Sequence, residues 1–274
     1  MEIQHSQLQF CLILGFALMV SVSEGKESCV EKYISKGYFE KKSNLDDSEF
    51  DNYVKHEISS CSCQLPKDNL NYPPRLLTLH RNLMGEGSHR RLSSSIRLES
   101  EHSLQSCEGI IIEKLPSGVF ADPFELQHLV HRKVFSDAAV FGDSNLELPS
   151  FRSNRSVVEI HTEISSGEDI NSNQMEIKIE LPLHARYPPL GEGFAKVKFG
   201  IPDIFLRCSS IQGNLDKCGY MPRKGEGPKS VDDVWEVPCG NKEHQGIVSV
   251  VTFTSAIISA SLIVFTSISH STLT

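Results

Sequence analysis

Hydrophobic residues fall at every second position in two stretches of the chain. Val158, Ile160, Thr162 and Ile164 alternate with Glu159, His161 and Glu163, and Met175, Ile177, Ile179, Leu181 and Leu183 alternate with Glu176, Lys178 and Glu180. Successive side chains of a strand point to opposite faces, so each stretch predicts an antiparallel strand with one packed face and one wet face. Gly167 and the polar run Glu168 to Gln174 supply a hairpin connection. Shorter strands are predicted over Phe194–Phe199, Asp203–Cys208 and Val231–Val237, separated by Gly- and Pro-rich connectors such as Pro188 to Gly193.

The β-branched run Ile110, Ile111 and Ile112 predicts another strand, ended by the turn signal Pro116-Ser117-Gly118. A short helix follows. Asp122 is suited to cap it, Pro123 to open its first turn, and Glu125 to reach back as in a capping box, with Phe124, Leu126 and Leu129 available for burial. The expected fold is mainly β: an antiparallel β-sandwich-like domain with a short helix as decoration. From Glu24 to about Asp68 the chain is polar and poorly periodic, which predicts loose or partial order. Met84 to Ser95, rich in Gly, Ser and basic residues, reads as a loop.

Both ends are apolar. Phe10 to Val22 is short for a span and precedes small residues, the form of a secretory signal cleaved near Ser23 to Gly25, although Met1 to Gln9 contains no Lys or Arg. A buried N-terminal helix is the alternative. Ile247 to Ile268 carries no charge, and a helix of that length reaches roughly 33 Å against a hydrocarbon core of about 30 Å. Serine and threonine hydroxyls within it can bond to carbonyls of their own helix. Ser255, Ala256, Ser259 and Ala260 form a small-residue strip that could favour packing on a neighbouring helix. The distal tail lacks Lys and Arg, which opens a rival reading as a cleaved GPI-attachment signal, but the polar spacer from Asn241 to Gly246 is short for that. The expected organisation is a signal peptide (1–24), a polar, partly ordered lumenal segment (25–92), a β-rich lumenal domain (93–240), a transmembrane helix (247–268) and a short tail (269–274), in a single-pass type I arrangement.

The net charge of −8 argues against a nucleic-acid surface, which would be basic. With Cys11 in the leader, Cys29, Cys61, Cys63, Cys107, Cys208, Cys218 and Cys239 remain as candidate disulfide cysteines, an odd set that leaves at least one unpaired or bound to a partner. Cys61-Ser62-Cys63 alone is weak evidence for zinc, and disulfide bonding is the plainer reading. Asn154-Arg155-Ser156 is a sequon, so Asn154 is a candidate glycan site.

Catalytic signatures are missing from the sequence: there is no G-x-S-x-G elbow, zincin motif, P-loop or dinucleotide cradle. His161 between Glu159 and Glu163 reads as a solvated strand face, Asp232-Asp233 as an acidic cluster beside a strand or helix start, and Trp235 as a residue packed in the sandwich or facing a partner. In an extended segment His184 and Arg186 share one face. They either meet an anionic headgroup or a partner carboxylate, or satisfy backbone carbonyls at a strand end with Tyr187 packed on proline. Neither a cofactor nor a metal is expected.

Four phrases occur in order before the terminal span: Leu115 to Leu126 (LPSGVFADPFEL), Leu181 to Tyr187 (LPLHARY), Pro202-Asp203, and Val237-Pro238-Cys239-Gly240. Together they resemble the PIG-X family, the phosphatidylinositol-glycan biosynthesis class X subunits, over roughly Gly109 to Ile268. Cys239 stands where the family is more typically aliphatic. The resemblance implies an endoplasmic reticulum membrane protein without catalytic activity, whose lumenal domain stabilises PIG-M, the catalytic subunit of GPI mannosyltransferase I. That enzyme transfers the first mannose from dolichyl-phosphate-mannose. Pro116, Gly118, Asp122, Pro123, Glu125, His184, Arg186 and Tyr187 then become candidate partner-contact or structural residues. Two rivals stand beside it: a cell-surface ligand-binding glycoprotein, spanning or GPI-linked, and a lumenal hydrolase or transferase using His184 or the acidic pair.

Overall fold

The structure, a computed structural model, describes residues 32–60, 75–99, 105–166, 174–209, 218–220, 223–224 and 234–271. The chain divides after Tyr33, and the elements below all belong to Ile34–Thr274. Two helices come first, α1 (Lys36–Lys41) and α2 (Asp47–Ser60). Strands β1 (Arg75–Met84), β2 (His89–Glu99), β3 (Gln105–Leu115) and β4 (Val119–Phe120) lead to helix α3 (Pro123–His131). Then come β5 (Asp137–Gly142), β6 (Ser156–Glu163), β7 (Ser165–Ser166), β8 (Gln174–Ala185), β9 (Phe194–Lys198), β10 (Asp203–Ser209), β11 (Cys218–Tyr220), β12 (Arg223–Lys224) and β13 (Val234–Pro238). A 3-10 turn, Lys242–His244, precedes helix α4 (Gln245–Ser271).

The strands form two main sheets, ordered β12-β1-β2-β8-β4 (with β7 also on β8) and β11-β10-β3-β6-β5, and a two-stranded ribbon, β13-β9. All pairs are antiparallel except β1 with β12. One core joins them: Leu92, Ile96, Ile177, Ile179 and Leu181 from the first sheet, Ile111, Val158, Ile160 and Leu206 from the second, and Val197, Trp235 and Val237 from the ribbon. The fold is the expected mainly antiparallel β-sandwich. The β8 alternation holds, with Met175, Ile177, Ile179, Leu181 and Leu183 inside.

Several details differ from the sequence reading. The segment expected to be loose or only partly ordered contributes α1 and α2, and β2 (His89–Glu99) runs across residues 92 and 93, where the β-rich domain is expected to begin. Only residues 85–88 of the expected Met84–Ser95 loop form the turn; Gly85 and Gly87 make it with φ of +97° and +74°, angles that L side chains disfavour. β6 and β8, expected as one hairpin, lie in different sheets. Residues 167–173, taken as their connection, and 231–233, including Asp232 and Asp233, are outside the described residues.

The largest difference is on β6, where Glu159 and His161 are 0% and 2% exposed instead of wet. The helices explain it. Asp46 accepts hydrogen bonds from Ser48 Oγ and the Glu49 N–H (2.6 and 2.9 Å), fastening the start of α2. Phe50 and Val54, one turn apart, pack with Tyr38 and Leu45 over Ile110, Ile112, Val157 and Phe205 on the outer face of the second sheet. Each such full burial is worth about 1.5–3 kcal/mol. Lys114 on β3 pairs with Asp51 of α2 (2.7 Å) and with Asp203 (2.9 Å), and Arg155 pairs with Asp47 (2.9 Å). The second sheet is therefore the middle of three layers.

Under this cover Glu159 accepts the backbone N–H groups of Ile34 and Ser35, both at 2.8 Å. His161 bridges Glu159 (Nε2, 3.1 Å) and Glu108 (Nδ1, 3.2 Å). A ring that donates from both nitrogens is an imidazolium. Burial opposes that charge, but hydrogen bonds and charge from the two carboxylates outweigh it and raise the pKa. Because the folded value lies above the free imidazole's (about 6.5), this stabilisation is complete below that pH and is lost as pH rises through the folded value. Melting temperature is therefore expected to decline with pH above about 6.5, and His161→Asn should flatten the dependence while lowering stability throughout. An unchanged pH profile in the variant would assign the dependence elsewhere.

Candidate functional site

The chain brings the two longest phrases to one place. After β3, Pro116 accepts the Val119 N–H across a tight turn (3.2 Å), and β4 pairs with the end of β8, Val119 opposite Ala185 and Phe120 opposite His184. The Arg186 N–H donates to the Gly118 carbonyl (2.8 Å). A Cβ on Gly118 would stand 2.6 Å from Val197 Cγ2, so a side chain there would collide with the ribbon. Helix α3 starts as its sequence predicts: Asp122 accepts the Phe124 N–H and Pro123 opens the first turn. Glu125 does not close a capping box. It turns to His184 Nε2 (3.0 Å) and His89 Nε2 (3.5 Å). Leu126 is buried, whereas Phe124 is 75% exposed.

Four side chains form a row across the joint. The Arg186 guanidinium carbon lies 4.8 Å from the Phe120 ring centroid. Phe120 stacks on His184 at 5.1 Å, and His184 on His89 at 4.2 Å, both nearly parallel. Arg186 is buried, and its Nη1 donates to the carbonyls of Asn145 (2.6 Å) and Leu148 (2.9 Å). Among the described residues its Nε and Nη2 have no hydrogen-bond partner. Burial lowers its pKa, against the pull of Asp143. Arg186 thus satisfies backbone carbonyls, one of the two roles open from the sequence, while Tyr187, 83% exposed, is not packed away. A cleft of about 410 Å³ opens here, lined by Phe120, Leu148, His184, Arg186 and Tyr187 and by Val237 and Pro238 of β13.

Of the residues singled out from the sequence, Gly118, Glu125, His184 and Arg186 therefore meet, with Pro116, Asp122 and Pro123 shaping the turn and the helix start. The sequence does not single out His89 and Phe120. The loop reading of Met84 to Ser95 hides His89, and its signal is the β2–β8 register, which sets it directly opposite His184. Asn154 is exposed, and its N–H donates to Asp143 (2.8 Å). Cys107 is disulfide-bonded, and Cys239 is a half-buried free thiol. Cys29, Cys61 and Cys63 lie outside the described residues. Cys208 and Cys218 are described by backbone alone, opposite each other on β10 and β11, with Cys208 also opposite Cys107. Trp235 is fully buried, and Arg90 lies over its ring.

The family model PIG-X / PBN1 matches residues 85–268, from the turn before β2 through most of α4. The chain belongs to this family. The match begins earlier than the sequence phrases do, because it takes in β2, whose whole length pairs with β8. A human protein named GPI alpha-1,4-mannosyltransferase I, stabilizing subunit, is 27% identical over 209 residues, 68% of this chain and 78% of its own length. A Rattus norvegicus protein of the same name is 30% identical over 135 residues, 48% of this chain and 52% of its own length. Protein pbn1 of Emericella nidulans is 31% identical over 114 residues, 39% of this chain and 21% of its own. This chain thus spans about half the length of the rat relative and about a fifth of the fungal one.

Proposed function

We propose that this protein is the non-catalytic stabilising subunit of GPI mannosyltransferase I and serves GPI-anchor biosynthesis. The observation that carries the reading is the family match through the sandwich and into α4, together with the names of its relatives. The assignment of roles follows: mannosyl transfer belongs to a polytopic PIG-M-like partner in the endoplasmic reticulum membrane, and this chain supplies a rigid lumenal face and a span. A signal peptide over residues 1–24 and a glycan on Asn154 complete the reading.

Three features support it. Residues Lys242–His270 are long and apolar enough to cross a membrane, and their apolar side chains are unburied, as lipid or a partner helix would require. The segment leading there is fastened to the sandwich: Gly191 donates to the Gly240 carbonyl (3.0 Å) and Cys239 to that of Gly193 (2.9 Å). The joint between the phrases is held by backbone pairing, stacked rings and a buried arginine, a construction that serves shape.

The test is complementation. In cells lacking their own subunit of this type and given the catalytic subunit from the same source, this chain should restore both a surface GPI-anchored reporter and the amount of catalytic subunit. Absence of rescue by a well-expressed, reticulum-resident chain would overturn the proposal. Mannose transfer by the purified chain alone would overturn its non-catalytic part.

A further inference from the structure

We infer that His89, Glu125 and His184 form a divalent transition-metal site, best suited to zinc, at the joint between β2, α3 and β8. The ligand atoms of the three residues lie within 4.8 Å of one another. Their convergence comes from the fold. His89 and His184 are directly opposed across the β2–β8 ladder, which sets Cβ atoms about 4.5–5.5 Å apart. Their rings stack at 4.2 Å with 13° between planes. Glu125 reaches both Nε2 atoms with one oxygen for each: Oε2 at 3.0 Å from His184 and Oε1 at 3.5 Å from His89.

Zinc binds imidazole nitrogen and carboxylate oxygen at about 2.0–2.2 Å, so neighbouring ligands in a tetrahedron stand about 3.3 Å apart. The separations of 3.0 and 3.5 Å, one from each carboxylate oxygen, lie on either side of that value. The side chains keep 54%, 33% and 29% of their exposure for His89, Glu125 and His184, which leaves room for small rotations and for a metal to enter. Two imidazoles and one carboxylate favour a borderline first-row ion over calcium or magnesium, which prefer all-oxygen shells. Three protein ligands leave a fourth position for water or an incoming donor.

The site departs from the sequence expectation of no metal, because the sequence places His89 in a loop. It also unites the two phrases in one site. Glu125 comes from the first, His184 from the second, and His89 from the strand start beside the turn where the family match begins. A bound ion would tie α3 to the β2–β8 ladder, reinforcing the contacts Glu125 makes there with the two histidines.

The experiment uses tag-free full-length protein in detergent, stripped with a chelator and titrated with zinc chloride, with Cys239→Ser as background to remove the Cys239 thiol. One zinc per chain is expected, with a rise in melting temperature on binding. Glu125→Gln and His89→Gln, both conservative and partly exposed, should weaken binding at least about tenfold and abolish the zinc-dependent rise, while metal-free melting stays near that of the background protein. His128→Gln, on the exposed face of α3, should change neither. No uptake at micromolar zinc, or uptake undiminished in both ligand variants, would overturn the inference and leave Glu125 as a hydrogen-bonding partner of the two histidines.

Discussion

Replacing Arg81 by methionine is expected to destabilise the sandwich by about 3–5 kcal/mol. Arg81 on β1 faces Glu113 on β3, so the pair joins the two main sheets. Its Nη2 donates to both carboxylate oxygens at 2.9 and 3.0 Å, and Nη1 donates to the Gly200 carbonyl. The paired side chains are only 4% and 3% exposed. Removing the guanidinium leaves an interior carboxylate without its direct counter-charge, with only the weaker pull of Lys114, opposed by Asp203. Burial already pushes the Glu113 carboxyl above its ordinary range, against the pull of Arg81. Without Arg81 that rise grows, so the variant's penalty increases with pH. Denaturant titration at two pH values measures both effects. The double variant Arg81→Met with Glu113→Leu should recover most of the loss, since an apolar pair of similar size satisfies the same space. A single-variant loss below about 1 kcal/mol would show that the interior solvates Glu113 by itself.

Trp235→Ala should cost a further and independent 3–5 kcal/mol, roughly what deleting a fully buried tryptophan costs through lost burial and the cavity left behind. Trp235 is the largest fully buried side chain among the described residues. It lies on β13, paired with Val197 of β9, and both belong to the common core. The same strand supplies Val237 and Pro238 to the cleft and continues towards α4. Loosening the ribbon should therefore reduce recovery of the catalytic subunit in complementing cells as well as thermal stability. Trp235→Phe, which fills much of the volume, should retain most of both. Wild-type stability in Trp235→Ala would mean that the ribbon is not part of the cooperative unit.

The helical cover over the second sheet is hard to read from sequence for a specific reason. Phe50 and Val54 on α2, with Tyr38 on α1, are few apolar residues among many charges, so hydrophobic periodicity is weak. The triple isoleucine at 110–112 holds the better clue, since a run without alternation suits a strand buried on both faces. Glu159 and His161 are misplaced by the same omission: alternation of charge along β6 looks wet unless something covers it. Cysteine pairing is not legible either, because spacing alone leaves many connectivities open.

The sequence by itself determined the class of the fold, a C-terminal helix long and apolar enough to cross a membrane, the start of α3 and the family. Each of these rests on local chemistry: side-chain period, apolar length, a cap, and consecutive phrases. Tertiary structure alone decided which strands share a sheet, that Glu125 meets two histidines instead of its own helix start, that His161 is enclosed by carboxylates, and that Arg81 finds Glu113. Those contacts join residues far apart along the chain. They depend on register and layer order, which no local pattern encodes.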